Sequence, residues 1–256
     1  MKLYKNKKPN LKRLSFLFVV QIILGALPLP LFTIYVIFMQ WYDPNEHPEY
    51  EELGYSLWLG IIFISVIFLS FTGYIAAARR YNILVSGERG ERALERVAKK
   101  LKGDYTVFAN LPIRYKHNRS EIDLLVVSRH GVLAVEVKNH SGAIIGSDND
   151  EFWLHRKFYR GGKITETEMK NPLKQVKRQR EILKNILRAD GTNVWIDSIL
   201  YFSGKPALKL KSETDIDIAC DEDEILGLIQ NYNIDNTPLT IDEYNEIVET
   251  LRNHDC

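Results

Sequence analysis

Cysteine is scarce in this chain: Cys220 and Cys256 are the only two, and neither has CxxC or Cys/His ligand spacing. That argues against a disulfide framework or a structural zinc site and fits a reducing compartment. Internal repeats and low-complexity linkers are also missing. Charge is lacking in a patterned way. No charged side chain falls between Arg13 and Asp43 or between Glu52 and Arg79, and residues 40–56 contain no Lys or Arg. Residues 212–256 hold one base against 13 acids, whereas residues 79–190 hold 24 bases against 14 acids. The overall charge of +1 on 256 residues therefore hides a strongly divided chain, and the asymmetry says more than the total.

The two uncharged stretches, 14–39 and 57–78, each supply the roughly 20 apolar residues a helix needs to cross a bilayer. In hydrocarbon every backbone N–H and C=O has to be paired internally, so both are predicted to be transmembrane helices. Gly25, Pro28 and Pro30 are expected to kink the first. Trp41, Tyr42, Tyr55 and Trp58 flank the ends on one side, as an interfacial aromatic belt does. Lys2, Lys5, Lys7, Lys8, Lys12 and Arg13 precede the first stretch, and Arg79 and Arg80 follow the second. The positive-inside rule then assigns a cell-membrane protein with two spans, a basic tail (1–13), both termini and the main domain in the cytoplasm, and a short acidic loop (40–56) outside. A cleaved signal peptide fits less well, because the first stretch is too long and lacks a small-x-small cleavage site.

After Arg80 the pattern becomes that of a mixed α/β domain. A helix is predicted over 86–102, with Leu94, Val97, Ala98 and Leu101 on one stripe, then a short strand over 105–109 and two strongly β-prone runs over 121–128 and 132–139. Ile144 and residues 152–158 suggest a further strand pair, with Gly161 and Gly162 at a turn. Asn171 and Pro172 open a long helix to Arg188, and 194–202 reads as a buried strand. A strand near 216–219 precedes two short helices, for which Asp221 with Glu224 and Thr240 with Glu243 have capping-box spacing.

Chemistry concentrates in the hairpin 121–139. Alternate residues of a strand face opposite sides of the sheet, so Asp123 on the first strand and Glu136 and Lys138 on the second belong to one face. If His130 and Gly131 make a two-residue turn, Asp123 lies opposite Lys138; if the turn is Arg129 and His130, it lies opposite Glu136. Either register makes Asp123 a direct or diagonal neighbour of both, within roughly 5–8 Å. Two carboxylates on strands otherwise built from Ile122, Leu124, Val126, Leu133, Val135 and Val137 repel one another strongly. A divalent cation removes that conflict, since Mg²⁺ prefers carboxylate oxygen and water, and Lys138 beside it could stabilise a developing phosphoryl charge. By spacing alone, a solvent-facing cross-strand salt bridge fits equally well.

Further residues shift that balance. Gly87, Glu88, Arg89, Gly90 and Glu91, then Glu121, Ile122 and Asp123, then Val135 through Asn139, then Gly142 and Trp153, and finally Asn171, Pro172, Leu173, Lys174 and Gln175 together resemble the NERD (nuclease-related) domain over 85–204. The resemblance implies a restriction-endonuclease-like α/β fold of the PD-(D/E)xK group, a mixed sheet flanked by helices, here preceded by the two transmembrane helices and followed by an acidic α/β extension (205–256). It makes Asp123 and Glu136 ligands of Mg²⁺ or Mn²⁺, Lys138 the catalytic lysine, Glu91 an additional acidic ligand, direct or through water, and Gln175 a supporting glutamine. Ile122 replaces the proline of the wider group. Glu91 also precedes Leu94 and Ala98 by three and seven residues, which sets it on the inward stripe of its helix. Trp153 is read as a packing residue, and His117, His130, His140 and His155 are given turn or surface roles.

The basic side chains suit a polyanion. Lys170, Lys174, Lys177, Arg178, Arg180, Lys184 and Arg188 line the long helix against a single Glu181, Arg114, Lys116 and Arg119 precede the hairpin, and Arg156, Lys157, Arg160 and Lys163 follow it. Of these, Lys174, Lys177, Arg178, Arg114, Lys116 and Arg119 are the candidate nucleic-acid contacts, which would neutralise phosphates without reading sequence. The expectation is a membrane-anchored, metal-dependent nuclease acting on DNA in preference to RNA. The alternative is a membrane-tethered nucleic-acid-binding or scaffolding module with little or no catalysis.

Overall fold

The computed structural model describes residues 1–5, isolated helical positions between 16 and 37, 53–232 and 237–253. The predicted first span and the acidic loop lie largely outside the described residues. Helix α1 runs unbroken from Leu53 to Lys100 and takes in both the predicted second span and the predicted helix over 86–102. Part of it is long and apolar enough to cross a membrane, and it is the one such helix among the described residues. Ile61, Ile62, Ile64, Phe68, Leu69 and Phe71 are exposed along it. Two of its hydroxyls turn back on their own helix, Ser65 to Ile61 O at 2.8 Å and Thr72 to Leu69 O at 2.9 Å, which satisfies them without a solvent partner.

The chain divides into two units, Pro9–Ser86 and Met1–Lys8 with Gly87–Cys256. The second is a mixed α/β fold with two mixed sheets. The larger has the order β1 (Lys2–Lys5), β2 (Thr106–Tyr115), β3 (Asn118–Ser128), β4 (Gly131–Lys138), β8 (Ile196–Phe202) and β10 (Asp217–Ala219). Its β2, β3 and β4 are antiparallel neighbours, while β1, β8 and β10 pair in parallel. The smaller has the order β7 (Ile164–Lys170), β6 (Phe152–Phe158), β5 (Ala143–Gly146) and β9 (Ala207–Leu210).

Period-two alternation sends the strands of the large sheet to two cores. Leu133 and Val135 pack with Leu94, Val97 and Ala98 of α1 and with Ile225 and Ile229 of α3 (Glu222–Gln230). Val132 and Ala134 face Ile182, Leu183, Ile186 and Leu187 of α2 (Pro172–Ala189) and Ile247 and Leu251 of α4 (Ile241–Asn253). A third cluster joins the small sheet to the start of α2 through Ile144, Trp153, Leu173 and Val176. Trp153 is a core residue, as expected.

Two stretches take a larger part than their sequence suggested. Lys2–Lys5, read only as part of a basic tail, form the edge strand β1. Residues after 205, read as an extension, complete both sheets through β9 and β10 and both cores through α3 and α4. Their caps form as the spacing implied: Asp221 accepts from Asp223 and Glu224 N–H, and Thr240 and Glu243 bond reciprocally. Asn171 caps α2 by accepting from Leu173 N–H at 2.9 Å, and its amide donates to the carbonyls of Ser147, Asp148 and Asp150. Pro172 follows at a helix position with no donor to lose. That pair of residues fixes where α2 begins relative to the small sheet.

Candidate active site

Which turn closes the hairpin decides what faces what. Ser128 pairs with Gly131 and Leu124 with Val135, so the turn is Arg129 and His130, and Asp123 comes level with Glu136. The backbone ladder between β3 and β4 stops at Leu124. Beyond it the Asp123 carboxylate accepts the Val137 N–H at 2.8 Å, replacing the missing ladder bond. Strict alternation also fails at this level. Val107 and Ala109 of β2 face the α1 core, but Leu111 and Ile113 face the α2 core. Between them Asn110 has φ 56°, a left-handed conformation that Asn tolerates better than most residues. Asn110 is the residue of β2 level with Asp123.

Glu136 keeps the parity of Val132 and Ala134 and points toward α2. It is 4 % exposed. Lys138 Nζ donates to its Oε1 at 2.6 Å, Gln175 Nε2 to the same atom at 2.7 Å, and Gln179 Nε2 to Oε2 at 2.7 Å. Lys138 also donates to Gln175 Oε1 at 2.9 Å, so the lysine, the carboxylate and the first glutamine close a ring of hydrogen bonds. Gln179 additionally donates to Glu121 O at 2.7 Å, pinning α2 to β3. Buried polar groups are costly unless partnered, and here each member partners another.

Of the five candidate catalytic residues, the fold therefore joins Glu136, Lys138 and Gln175 directly and sets Asp123 on the neighbouring strand, bonded to the residue between Glu136 and Lys138. Glu91 is half-buried on α1, next to Gly90, whose missing Cβ would lie 3.3 Å from Val137. The helix meets the end of β4 at Gly90, on the α1 side of the sheet. Among the described residues no three His, Cys, Asp or Glu side chains gather so as to hold a metal ion. Asp123 and Glu136 alone remain compatible with Mg²⁺, which is commonly held by one or two carboxylates and completes its shell with water and phosphate. Glu136 accepts three hydrogen bonds, leaving capacity for one more partner among the roughly four acceptor sites of a carboxylate.

Sequence reasoning missed Gln179. Its signal was present: it falls three residues after Val176 and four before Leu183, inside the apolar stripe of α2, where a polar side chain needs a buried partner. His155 also differs from expectation. It is buried, holds Ser141 O at 2.8 Å, and packs edge-on against His140 at 4.7 Å. Burial, then the positive charges of His155, Lys138 and Lys157, push the His140 pKa down to about 4. Gly142 has φ 92°, and a Cβ there would collide with Arg156 O; this close crossing brings the chain after β4 against β6.

The candidate nucleic-acid contacts separate into groups. Lys174 is paired with Glu151 at 2.7 Å, and Lys177 with Asp148 at 2.6 Å and Asp215 at 3.0 Å. Arg178, one residue before Gln179 in sequence, donates to Arg119 O at 3.3 Å, and both residues are exposed. Arg114 and Lys116 line a cleft of about 640 Å³ that also contains Asp190, Glu246 and Glu249 and no member of the Glu136 cluster.

Residues 86–203 match the family described as NERD, nuclease-related domain. No curated protein and no solved structure gave a match. The matched segment begins on α1 just before Glu91 and ends just after β8, so it contains the whole Glu136 cluster.

Proposed function

We propose that this chain, similar over 86–203 to nuclease-related domains, is a metal-dependent nuclease of the PD-(D/E)xK kind, anchored in the cell membrane with its α/β unit in the cytoplasm. Its substrate on this reading is DNA in preference to RNA. The observation that carries the reading is the burial of Glu136 under Lys138, Gln175 and Gln179. A carboxylate, a lysine and two neutral amides in one water-poor cluster make a poor stabilising device, because apolar residues of similar volume often do as well or better. They make a good preorganised one. Asp123 and Glu136 are the residues that would hold Mg²⁺ or Mn²⁺, with Glu91 acting through water. Such an ion supplies Lewis acidity and a water of lowered pKa.

The chain's own residues do the rest. Gln175 and Gln179 fix the rotamer of Glu136, leaving its free acceptor site in a set direction. The Val137 N–H fixes Asp123 in the same way. Lys138, at the solvent end of the cluster, exchanges part of its bond to Glu136 for a phosphoryl oxygen as charge develops there. Arg119 and Arg178, adjacent to the cluster, position the flanking phosphates. The scarcity of clustered acids among the described residues favours one other reading, a tethered nucleic-acid-binding module that does not cleave.

The deciding experiment incubates the full chain, purified in neutral detergent, with labelled DNA and RNA in Mg²⁺, Mn²⁺ or EDTA. The nuclease reading expects metal-dependent cleavage that disappears in Asp123→Ala and Glu136→Ala. Salt-sensitive binding without cleavage in either metal would leave the binding module. Cleavage that survives both substitutions would place the activity elsewhere.

A further inference from the structure

Hairpin β6–β7 ends in a tip that none of the three cores uses. Every residue from Lys157 to Ile164 is exposed. The tip holds Lys157, Arg160 and Lys163 and no acid, together with Phe158, Tyr159 and Ile164, which are 59, 50 and 54 % exposed. Its shape is defined. Phe158 and Ile164 are cross-strand partners, so their side chains share a face. Tyr159 N–H donates to Lys163 O at 2.9 Å and Gly162 N–H to Tyr159 O at 3.2 Å, while Gly161 and Gly162 supply the positive φ angles the turn requires. Two rings, an isoleucine and three cations are thus presented on a closed turn.

The tip's strand touches the chain just past the candidate active site. His140, two residues past Lys138, packs edge-on against His155, and β6 continues from His155 to Phe158. Three residues of strand span about 10 Å, so the tip begins within roughly that distance of the His140–His155 contact. We propose that this tip grips the substrate strand beside the scissile phosphate. Lys157, Arg160 and Lys163 neutralise backbone phosphates, and Phe158, Tyr159 and Ile164 pack against bases of a single strand or an opened duplex end. The aromatic and basic side chains together fit a strand that offers both base faces and phosphates, and the His140–His155 contact links the tip's strand to the chain just past Lys138. The proposal rests on the nuclease reading of Glu136, but its test is separate, since it concerns binding.

The test measures anisotropy of a labelled single-stranded oligonucleotide with the full chain in neutral detergent and EDTA. The double variant Phe158→Ala, Tyr159→Ala is expected to bind about 10- to 100-fold more weakly, as loss of one or two stacked bases implies. Arg160→Ala, Lys163→Ala is expected to flatten the slope of log affinity against log salt by about 0.7 per cation removed. In the wild-type chain the oligonucleotide should also slow tryptic cleavage after Arg160 and Lys163. Unchanged affinity and salt slope in variants that melt as the wild type does would overturn the proposal. So would tryptic protection by nanodiscs rich in phosphatidylserine but not by the oligonucleotide, which would make the tip a bilayer contact. Tip-dependent binding without cleavage in any metal would sink the nuclease reading and leave the tip standing. Cleavage abolished by Glu136→Ala, with tip variants binding normally, would do the reverse.

Discussion

Helix α2 carries two electrostatic environments on one backbone. Its inner side offers Gln175 and Gln179, neutral donors, to the buried Glu136. Its outer side offers Lys174, Lys177 and Arg180, each matched by acids: Glu151 for the first, Asp148 and Asp215 for the second, and Asp197 and Asp215 for the third. The inner contacts have little water to compete with, so an uncharged amide is enough to fix a carboxylate, and removing one partner leaves a buried polar atom unmet. The outer contacts sit in water, where an ion pair typically contributes about 0–1 kcal/mol and exchanges partners readily. Four-residue spacing thus builds a rigid cluster on one side of the helix, and three-residue spacing an adaptable charge lattice on the other.

The strongest way to break that division is to empty its centre. Glu136→Ala should reduce cleavage by at least about 10³-fold, the scale of losing a preorganised catalytic group, as read from single-turnover rates in Mg²⁺. Residual cleavage within tenfold of wild type would mean that the inner side is structural only. A smaller effect comes next. Gln179→Leu removes the donors to Glu136 Oε2 and Glu121 O while keeping the volume. It should lower turnover by about 10- to 100-fold, as losing an orienting partner does, and cost about 1–3 kcal/mol in denaturant unfolding. A loss of stability with unchanged kcat would make Gln179 a packing residue and blur the two sides of the helix.

Much of this was legible in the sequence, for reasons that particular residues make plain. The strands over 121–128 and 132–139, the long helix from Pro172 and the caps at Asp221 and Thr240 follow from local pattern, and local pattern is what a sequence displays. Glu136, Lys138 and Gln175 meet because period two in a strand and a defined helix start are both readable. The turn at Arg129 and His130 was open, because Gly131 made the alternative turn equally attractive; β3–β4 pairing decided it. The break in alternation at Asn110 was hidden, since a single positive φ leaves no periodic trace. The acids that answer Lys177 and Arg180 lie at Asp148, Asp197 and Asp215. Only the tertiary fold brings them to α2, so the helix read as an uninterrupted cationic stripe.

His140 offers a way to find where the inner environment ends. Its pKa is pushed down to about 4, first by burial and then by the positive charges of His155, Lys138 and Lys157, against about 6.5 in an unfolded chain. Between those values the unfolded state binds a proton that the folded state does not, so stability falls as pH is lowered from about 6.5 to 4 and this contribution levels off below that. Melting followed across the window should show a shallower decline in His140→Asn than in the wild type. Parallel curves would mean that His140 is as well solvated as the outer cations.

The finest probe lies on the outer side. Asp215 is held down to about 2, chiefly by the hydrogen bond from Arg180 and, against some opposition from burial, by Lys177. It stays charged at any working pH and shares Lys177 with Asp148 and Arg180 with Asp197. Asp215→Asn removes the charge and keeps the shape. If the outer lattice is adaptable, stability should change by no more than the about 1 kcal/mol expected of exposed pairs. Lys177 and Arg180, each keeping one acid, would then be partly freed toward phosphate, DNA affinity in EDTA would rise about two- to fivefold, and the slope of log affinity against log salt would steepen by up to about 0.9 for each new contact. Weaker binding would carry the opposite meaning: Asp215 would be orienting those cations for phosphate, and the outer side of α2 would be as preorganised as the inner one.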